Sequence, residues 1–281
     1  MPAIKDSVWL ISGCSTGFGR EIALAALEGG ARVAVTARNP AAVVDICERF
    51  PEQAIALPLD VASAKDIAAC VDATLDRFGR IDSLVNNAGY GYVAAIEEGE
   101  EAAIRALLEV NFFGALALTR AVLPIMRRQG SGHIINNSSQ AGIMANPGTG
   151  YYSASKYALE GLMEALQKEV APLGIRVTSV QPGAFRTDWS GRSMQRSSVV
   201  IDDYAHVHER LDMIAAMDGK QPGDPVRAAQ IFIDLYSMPE PPVQLVLGAG
   251  ALATYRGKLT DIMAGLERLE PLTTAADFPP T

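Results

Sequence analysis

Cysteine is scarce in this chain. Cys14, Cys47 and Cys70 are the only three in 281 residues. Their odd number and the lack of a C-x-x-C spacing argue against a disulfide framework and against structural zinc. Histidine is as sparse: His133, His206 and His208. His206-x-His208 could chelate, but no further His or Cys lies nearby to complete a site, so no metal is expected and these are read as solvated helix residues. No uninterrupted apolar run reaches the ~20 residues of a membrane span. The N-terminus lacks the basic segment, apolar stretch and cleavage site of a leader. Basic residues are outnumbered 24 to 32, for a net charge of −8. That balance argues against general affinity for nucleic acid or anionic membrane. A soluble cytoplasmic protein is expected, and any anionic ligand must be held by local features.

Also missing are a Pro/Gly/Ser-rich linker and any internal repeat before Pro182. What is present is a hydrophobic fraction of 49% with a positive mean hydropathy, enough for a deep core. Short apolar runs alternate with helical patterns: strands at 8–12, 32–37, 54–59, 81–85, 132–139, 176–181 and 243–247, with helices between them. Such alternation predicts a doubly wound parallel α/β sheet of about seven strands with helices on both faces. One domain spanning 1–281 is expected. Periodicity weakens over 184–223, the usual place for a substrate lid. The last strand is followed by a C-terminal extension at 249–281, with a helix expected from Thr254 to Arg268.

After the first strand comes Gly13-Cys14-Ser15-Thr16-Gly17-Phe18-Gly19 and then an Ala/Leu-rich helix. A glycine-rich turn between strand and helix lets backbone amides approach a pyrophosphate, with the helix N-terminus adding orphan N–H groups. The second strand ends at Ala37-Arg38, where dinucleotide folds often carry an acidic residue for the adenosine ribose. A guanidinium there can pair with a 2′-phosphate, which predicts NADP(H) over NAD(H). Asp60, before Val61, could accept from an adenine amino group or cap the next helix. Asn86-Asn87-Ala88-Gly89 closes the fourth strand, where open sheets bind ligands. Asn111 sits mid-helix against its propensity, which implies a task or a kink.

The fifth strand delivers Ser139, and the next helix carries Tyr152 and Lys156. One helical turn apart, these two share a face. An ammonium beside a phenol is expected to lower its pKa and make it a usable acid or base. Pro182-Gly183 ends the sixth strand and Thr187 follows. Tyr90, Tyr92, Met144, Trp189 and Met194 suggest a largely apolar pocket. Trp189 and the methionines Met213 and Met217 either cover a substrate or pack a surface helix pair.

These motifs, in this order from Val8 to Leu247, resemble the short-chain dehydrogenase/reductases of the compact-subunit branch, and are similar to their hydroxysteroid- and retinol-dehydrogenase-like members. The resemblance implies that Tyr152 is the general acid/base and that Lys156 lowers its pKa and holds the nicotinamide ribose. It implies that Ser139 orients the carbonyl, that Asn111 holds a relay water, and that Thr187 meets the nicotinamide amide. Departures are Ser12 where Thr is usual, and the long tail. The reaction implied is hydride transfer between NADP(H) and an apolar ketone, aldehyde or secondary alcohol. Alternatives are a cofactor-sensing protein without chemistry, or an isomerase or dehydratase that recycles its nicotinamide. A Ser-His-Asp hydrolase is disfavoured, since Ser139 lacks a G-x-S-x-G elbow. Apolar Leu159, Leu162, Met163 and Leu166 exceed one core-facing stripe. In the family the helices 111–129 and 152–172 form the dimer contact, so a homodimer is expected, with the tail blocking a second contact.

Overall fold

Strand β1 (Val8–Ile11) is buried at every position, as a strand covered on both faces requires. Trp9 and Ile11 point into one apolar cluster and Leu10 into another. The computed structural model describes residues 4–278. Helix α1 (Gly17–Glu28) leads to β2 (Arg32–Ala37), and α2 (Val44–Arg49) to β3 (Ala54–Pro58). Next come α3 (Ala64–Phe78), β4 (Ser83–Asn86), the short β5 (Gly91–Val93), α4 (Glu101–Leu108) and α5 (Ala115–Gln129). The chain continues through β6 (Gly132–Asn137), α6 (Gly150–Val170), β7 (Ile175–Pro182), β8 (Met194–Arg196) and α7 (Ala205–Ala216). It closes with α8 (Pro225–Ser237), β9 (Gln244–Leu247) and α9 (Ala249–Thr274).

The seven-stranded sheet has the order β3-β2-β1-β4-β6-β7-β9, and every neighbouring pair is parallel. Helices α1 and α8 cover one face, through Ile22 and Phe232; α3, α5 and α6 cover the other, through Ile67, Leu118 and Leu159. Strand order reverses between β1 and β4, which opens a crevice at their carboxyl ends. Local chemistry sets the boundaries. Ser63 caps α3 by accepting from Asp66 N at 3.2 Å, and Gly79, at φ 77°, ends it. Asp224 caps α8 with Pro225 in its first turn.

Several expectations shift. The helix expected from Pro40 opens as a 3-10 turn over Pro40–Val43 and becomes α-helical only at Val44. The pair β5–β8 forms a separate two-stranded parallel sheet that the sequence did not announce. Leu159, Met163 and Leu166 are core residues at 1%, 1% and 9% exposure, so that only the partly buried Leu162 is left of the surplus argued for this helix. A surplus of that kind lies on α9, which is longer than expected. Helices α4 and α5 join through a π-helical segment, Glu109–Gly114, into one rod. The rod is long and apolar enough to cross a membrane by length and composition alone, with an 18-residue stretch of mean hydropathy 1.5. Its Leu107, Leu118, Val122 and Met126 are nonetheless buried in the fold.

Candidate active site

The glycine loop is shaped by contacts that leave no room for side chains. Gly13 (φ 74°) and Gly17 (φ 59°) occupy the left-handed region, which costs an L-residue roughly 1–2 kcal/mol. A Cβ on Gly13 would stand 3.0 Å from Ala88 Cα, and one on Gly19 would collide with the Gly13 carbonyl and the Asn87 amide. Thr16, the residue before α1, gives no side-chain cap. The first-turn amides of α1 are therefore not satisfied by a side chain, the arrangement an anion uses. Opposite Gly17, a Cβ would meet Thr187 at 3.4 Å. Arg192 donates to Thr16 Oγ1 at 3.0 Å and pairs with Asp188. A dinucleotide pyrophosphate fits this cradle.

Hydrogen bonds tie the loop to the neighbouring strand ends. Ser12 Oγ accepts from Asn87 N at 2.9 Å and Ala88 N at 3.0 Å. Serine thus supplies the hydroxyl that threonine would. Asn87 Nδ2 donates to the Ser12 and Gly13 carbonyls, both at 2.9 Å, and Asn137 Nδ2 donates to Asn87 Oδ1 at 2.8 Å. Lys156 Nζ then donates to the Asn137 carbonyl at 3.0 Å. Asp60 Oδ1 accepts from Ala62 N at 3.0 Å, a local turn, while the helix cap falls to Ser63. The capping alternative for Asp60 is thereby removed. Val61 is buried against Gly114 of the π segment. Arg38 is exposed and, among the described residues, has no ion pair or side-chain hydrogen bond.

Tyr152 lies in the first turn of α6 at 7% exposure. Its ring packs against Trp189 with centroids 5.2 Å apart. Burial pushes the phenol up to about 12, although Ser139 and the Trp189 indole bear on it in the opposite sense. The indole N–H stops short of full hydrogen-bond geometry and is buried without a partner. Lys156, also buried, is held down at about 8; its Nζ stands 5.8 Å from the Tyr152 ring centroid. The expected lowering of the phenol by Lys156 is therefore not observed. Burial dominates the phenol, with Lys156 not among the groups that bear on it here, and burial likewise disfavours the charged lysine.

Ser139 opens a 3-10 turn, its Oγ accepting from Ala141 N at 3.0 Å. Asn111 is 1% exposed in the π segment. Its Oδ1 accepts from Tyr90 N at 3.0 Å, and its Nδ2 donates to Tyr90 O at 2.9 Å and Ser155 Oγ at 3.2 Å. The side chain thus clamps the stretch after β4. A Cβ on Gly89 would meet Asn111 Oδ1 at 3.0 Å and Lys156 Nζ at 3.9 Å, so a glycine keeps the space between them open. One turn beyond Lys156, buried Glu160 accepts from Gln181 and Gln244, and burial pushes its pKa up.

A cavity of about 290 Å³ brings many of these residues together. Ser139, Tyr152, Phe18, Pro182, Gly183, Thr187, Met144 and Trp189 all line it. Other expected contacts lie elsewhere. Tyr90 belongs to an aromatic cluster beside the cavity. Tyr92 is in the core, bonded to Glu100 N, and Met194 packs under α7; these three do not line it. Arg210, Ile214 and Gln221 do line it and were not anticipated. A helical spacing of 210, 214 and 217 was the available signal. His208 is not a solvated residue: it bonds buried Glu98 at 2.7 Å. His133 is a core residue on Thr178. Among the described residues no group of His, Cys, Asp and Glu could hold a metal.

Known proteins share both sequence and fold. The short chain dehydrogenase family profile matches residues 7–197. Oxidoreductase BOA17 of Botryotinia fuckeliana is 36% identical over 92% of this chain and 94% of its own length. A 3-ketodihydrosphingosine reductase of Bacteroides thetaiotaomicron is 33% identical, over 87% of this chain and 89% of that protein. The crystal structure of a short-chain dehydrogenase from Streptomyces avermitilis superposes with TM-score 0.92 at 40% identity, covering 98% of this chain and all of the other. The strand order, the glycine cradle and these matches agree: the chain belongs to the short-chain dehydrogenase family of oxidoreductases.

Proposed function

We propose that this chain transfers a hydride between NADP(H) and the carbonyl or hydroxyl carbon of a largely apolar ketone, aldehyde or secondary alcohol, with Tyr152 as general acid/base. The observation that carries the reading is that the Tyr152 phenol and Ser139 open onto the same cavity as Phe18, Pro182-Gly183 and Thr187. When bound, the nicotinamide supplies the hydride chemistry, and the protein positions it and handles the proton. The glycine loop and α1 would hold the pyrophosphate, Thr187 the nicotinamide amide, Asp60 and Val61 the adenine, and Asn87, Ala88, Gly89 and Lys156 the nicotinamide-side ribose. Exposed Arg38 at the end of β2 supports a 2′-phosphate partner and hence NADP(H).

In the reducing direction, Ser139 and Tyr152 meet the negative charge that grows on the carbonyl oxygen. A phenol at about 12 keeps its proton at neutral pH and can hand it to a forming alkoxide, which is more basic still. Lys156, anchored on Asn137 with its Nζ 5.8 Å from the centre of the Tyr152 ring, is the cation that would stabilise the phenolate left behind. Asn111 fixes the backbone beside Lys156, where a relay water would stand. The Bacteroides relative, named for a keto compound, is in line with carbonyl chemistry.

Two further readings belong to the same proposal. Residues 184–223 act as the lid of a single domain, with Trp189 over Tyr152. The chain assembles as a homodimer in the cytoplasm. On α9, Leu252, Leu259 and Leu266 repeat every seventh residue, with Tyr255, Ile262 and Leu269 three residues after each. Those leucines are 42%, 45% and 57% exposed. That spacing makes an exposed apolar stripe of the kind that pairs helices, and it supports a contact between two copies. A spectrophotometric screen of carbonyl compounds graded by size, with NADPH and NADH in parallel, tests the activity. Turnover of apolar ketones with NADPH supports it; no net oxidation with any carbonyl contradicts it.

A further inference from the structure

We propose that Arg210 forms an anion subsite on the α7 wall of the cavity, so that the preferred substrates are carbonyl compounds bearing a carboxylate or similar acid group. The inference rests on the carbonyl-reductase reading above and deepens it.

Helix α7 turns Arg210 and Ile214 toward the cavity, with Met217 at its C-terminal cap beside them, the spacing of one helical face. Its adjoining face is anchored. Val207 and Leu211 are buried at 4% and 1% exposure among Val93 and Ala95. A Cβ on Gly148 would stand 2.8 Å from Leu211 Cδ2, so the helix lies tight on the loop that carries Met144. Arg210 is thus held at the wall by the packing of its neighbours.

Its charge is unspent. Arg210 is only partly exposed, yet among the described residues it makes no ion pair and no side-chain hydrogen bond. The other arginines of the segment are engaged: Arg192 pairs with Asp188, Arg196 with Asp212, and Arg186 donates to the Gln221 carbonyl at 2.7 Å. No carboxylate lines the cavity; Tyr152 and Arg210 are its titratable groups. In a chain of net charge −8, a lone cation on a partly desolvated wall makes a local positive field that attracts anions and repels amines. A guanidinium offers a carboxylate two parallel hydrogen bonds. A substrate spanning the cavity would place its carbonyl at Tyr152 and Ser139, its methylenes against Trp189 and Ile214, and its acid at Arg210. The cofactor phosphates do not account for Arg210, since the cation that reaches the glycine loop from this segment is Arg192.

The test compares aliphatic oxo acids, graded by chain length, with their methyl esters in wild type, Arg210→Met and Arg210→Lys. The wild type should prefer the acid of best length by about tenfold or more in kcat/KM, the ratio a charge-assisted pair supports. That acid-to-ester ratio should collapse in Arg210→Met and recover in part in Arg210→Lys, with KM for NADPH unmoved in all three. Equal ratios in wild type and Arg210→Met overturn the subsite while leaving the reductase reading intact. A raised KM for NADPH with an unchanged ratio assigns Arg210 to the cofactor and also overturns it. Should no carbonyl be turned over, the reductase reading fails by itself. Calorimetric binding of the same acid and ester then decides the subsite: loss of the acid's advantage in Arg210→Met supports it, and equal affinities refute it.

Discussion

Lys156 gives its hydrogen bond to the Asn137 carbonyl at 3.0 Å, and its Nζ stands 5.8 Å from the centre of the Tyr152 ring. The cation therefore faces the Tyr152 ring and is tied to the strand end that also positions Asn87. With its pKa near 8, Lys156 is protonated below that pH and neutral above it. We expect kcat/KM for carbonyl reduction to fall as pH rises through about 8, because the phenolate then loses its stabilising charge. In Lys156→Arg, whose charge does not titrate there, the fall should vanish in whatever activity remains. A profile flat to pH 10 in the wild type contradicts this role. The same displacement makes this group's share of stability rise between about 8 and 10.5, where the unfolded chain holds a proton that the folded one has released.

Gly19→Ala should fail at the glycine cradle. The added methyl would collide with the Gly13 carbonyl and the Asn87 amide, both of which fix the crevice. Affinity for the cofactor, read by quenching of intrinsic fluorescence, should drop at least about tenfold, as a loss of about 1.4 kcal/mol implies. Unchanged affinity would show that the cradle is not the binding surface.

Arg38→Asp should reverse cofactor choice. A charge-assisted hydrogen bond contributes about 1.5–3 kcal/mol, so kcat/KM with NADPH should fall about tenfold to a hundredfold while NADH gains. Equal use of the two cofactors by the wild type would remove the basis for the NADP(H) assignment.

Glu98 tests the segment over the cavity. Its carboxylate, 2% exposed, accepts from Ala95 N at 3.1 Å and Ile201 N at 2.8 Å and meets His208 at 2.7 Å. Burial alone would raise its pKa, but these bonds bring it below the usual carboxylate value. A lowered carboxylate stabilises the fold above its unfolded pKa and loses that contribution as pH falls through the folded one. Glu98→Gln should cost about 1–3 kcal/mol, a fall of several degrees in Tm at neutral pH. The gap from wild type should narrow in acid. A constant gap across pH would mean that the charge is immaterial.

Much of this was legible in the chain itself. Val8–Ile11, the positive-φ glycines and Asn87 are readable because each serves a local constraint: a two-sided strand, a forbidden Cβ, an amide at a strand end. The Tyr152–Lys156 pair was readable as a helical turn, but not the direction in which its phenol shifts. That depends on Trp189, distant in sequence, closing over the ring. Arg210 was missed for the same reason: nothing near it in sequence says which wall α7 faces. The pair β5–β8 escaped because strands of three residues carry too little periodicity to register.

The most direct test of the central claim is single-turnover reduction of a ketone by Tyr152→Phe with NADPH prebound. Loss of the phenol proton should slow the hydride step by about a hundredfold to ten-thousandfold, with NADPH affinity retained. A variant that turns over at the wild-type rate would place the proton donor elsewhere and contradict the account.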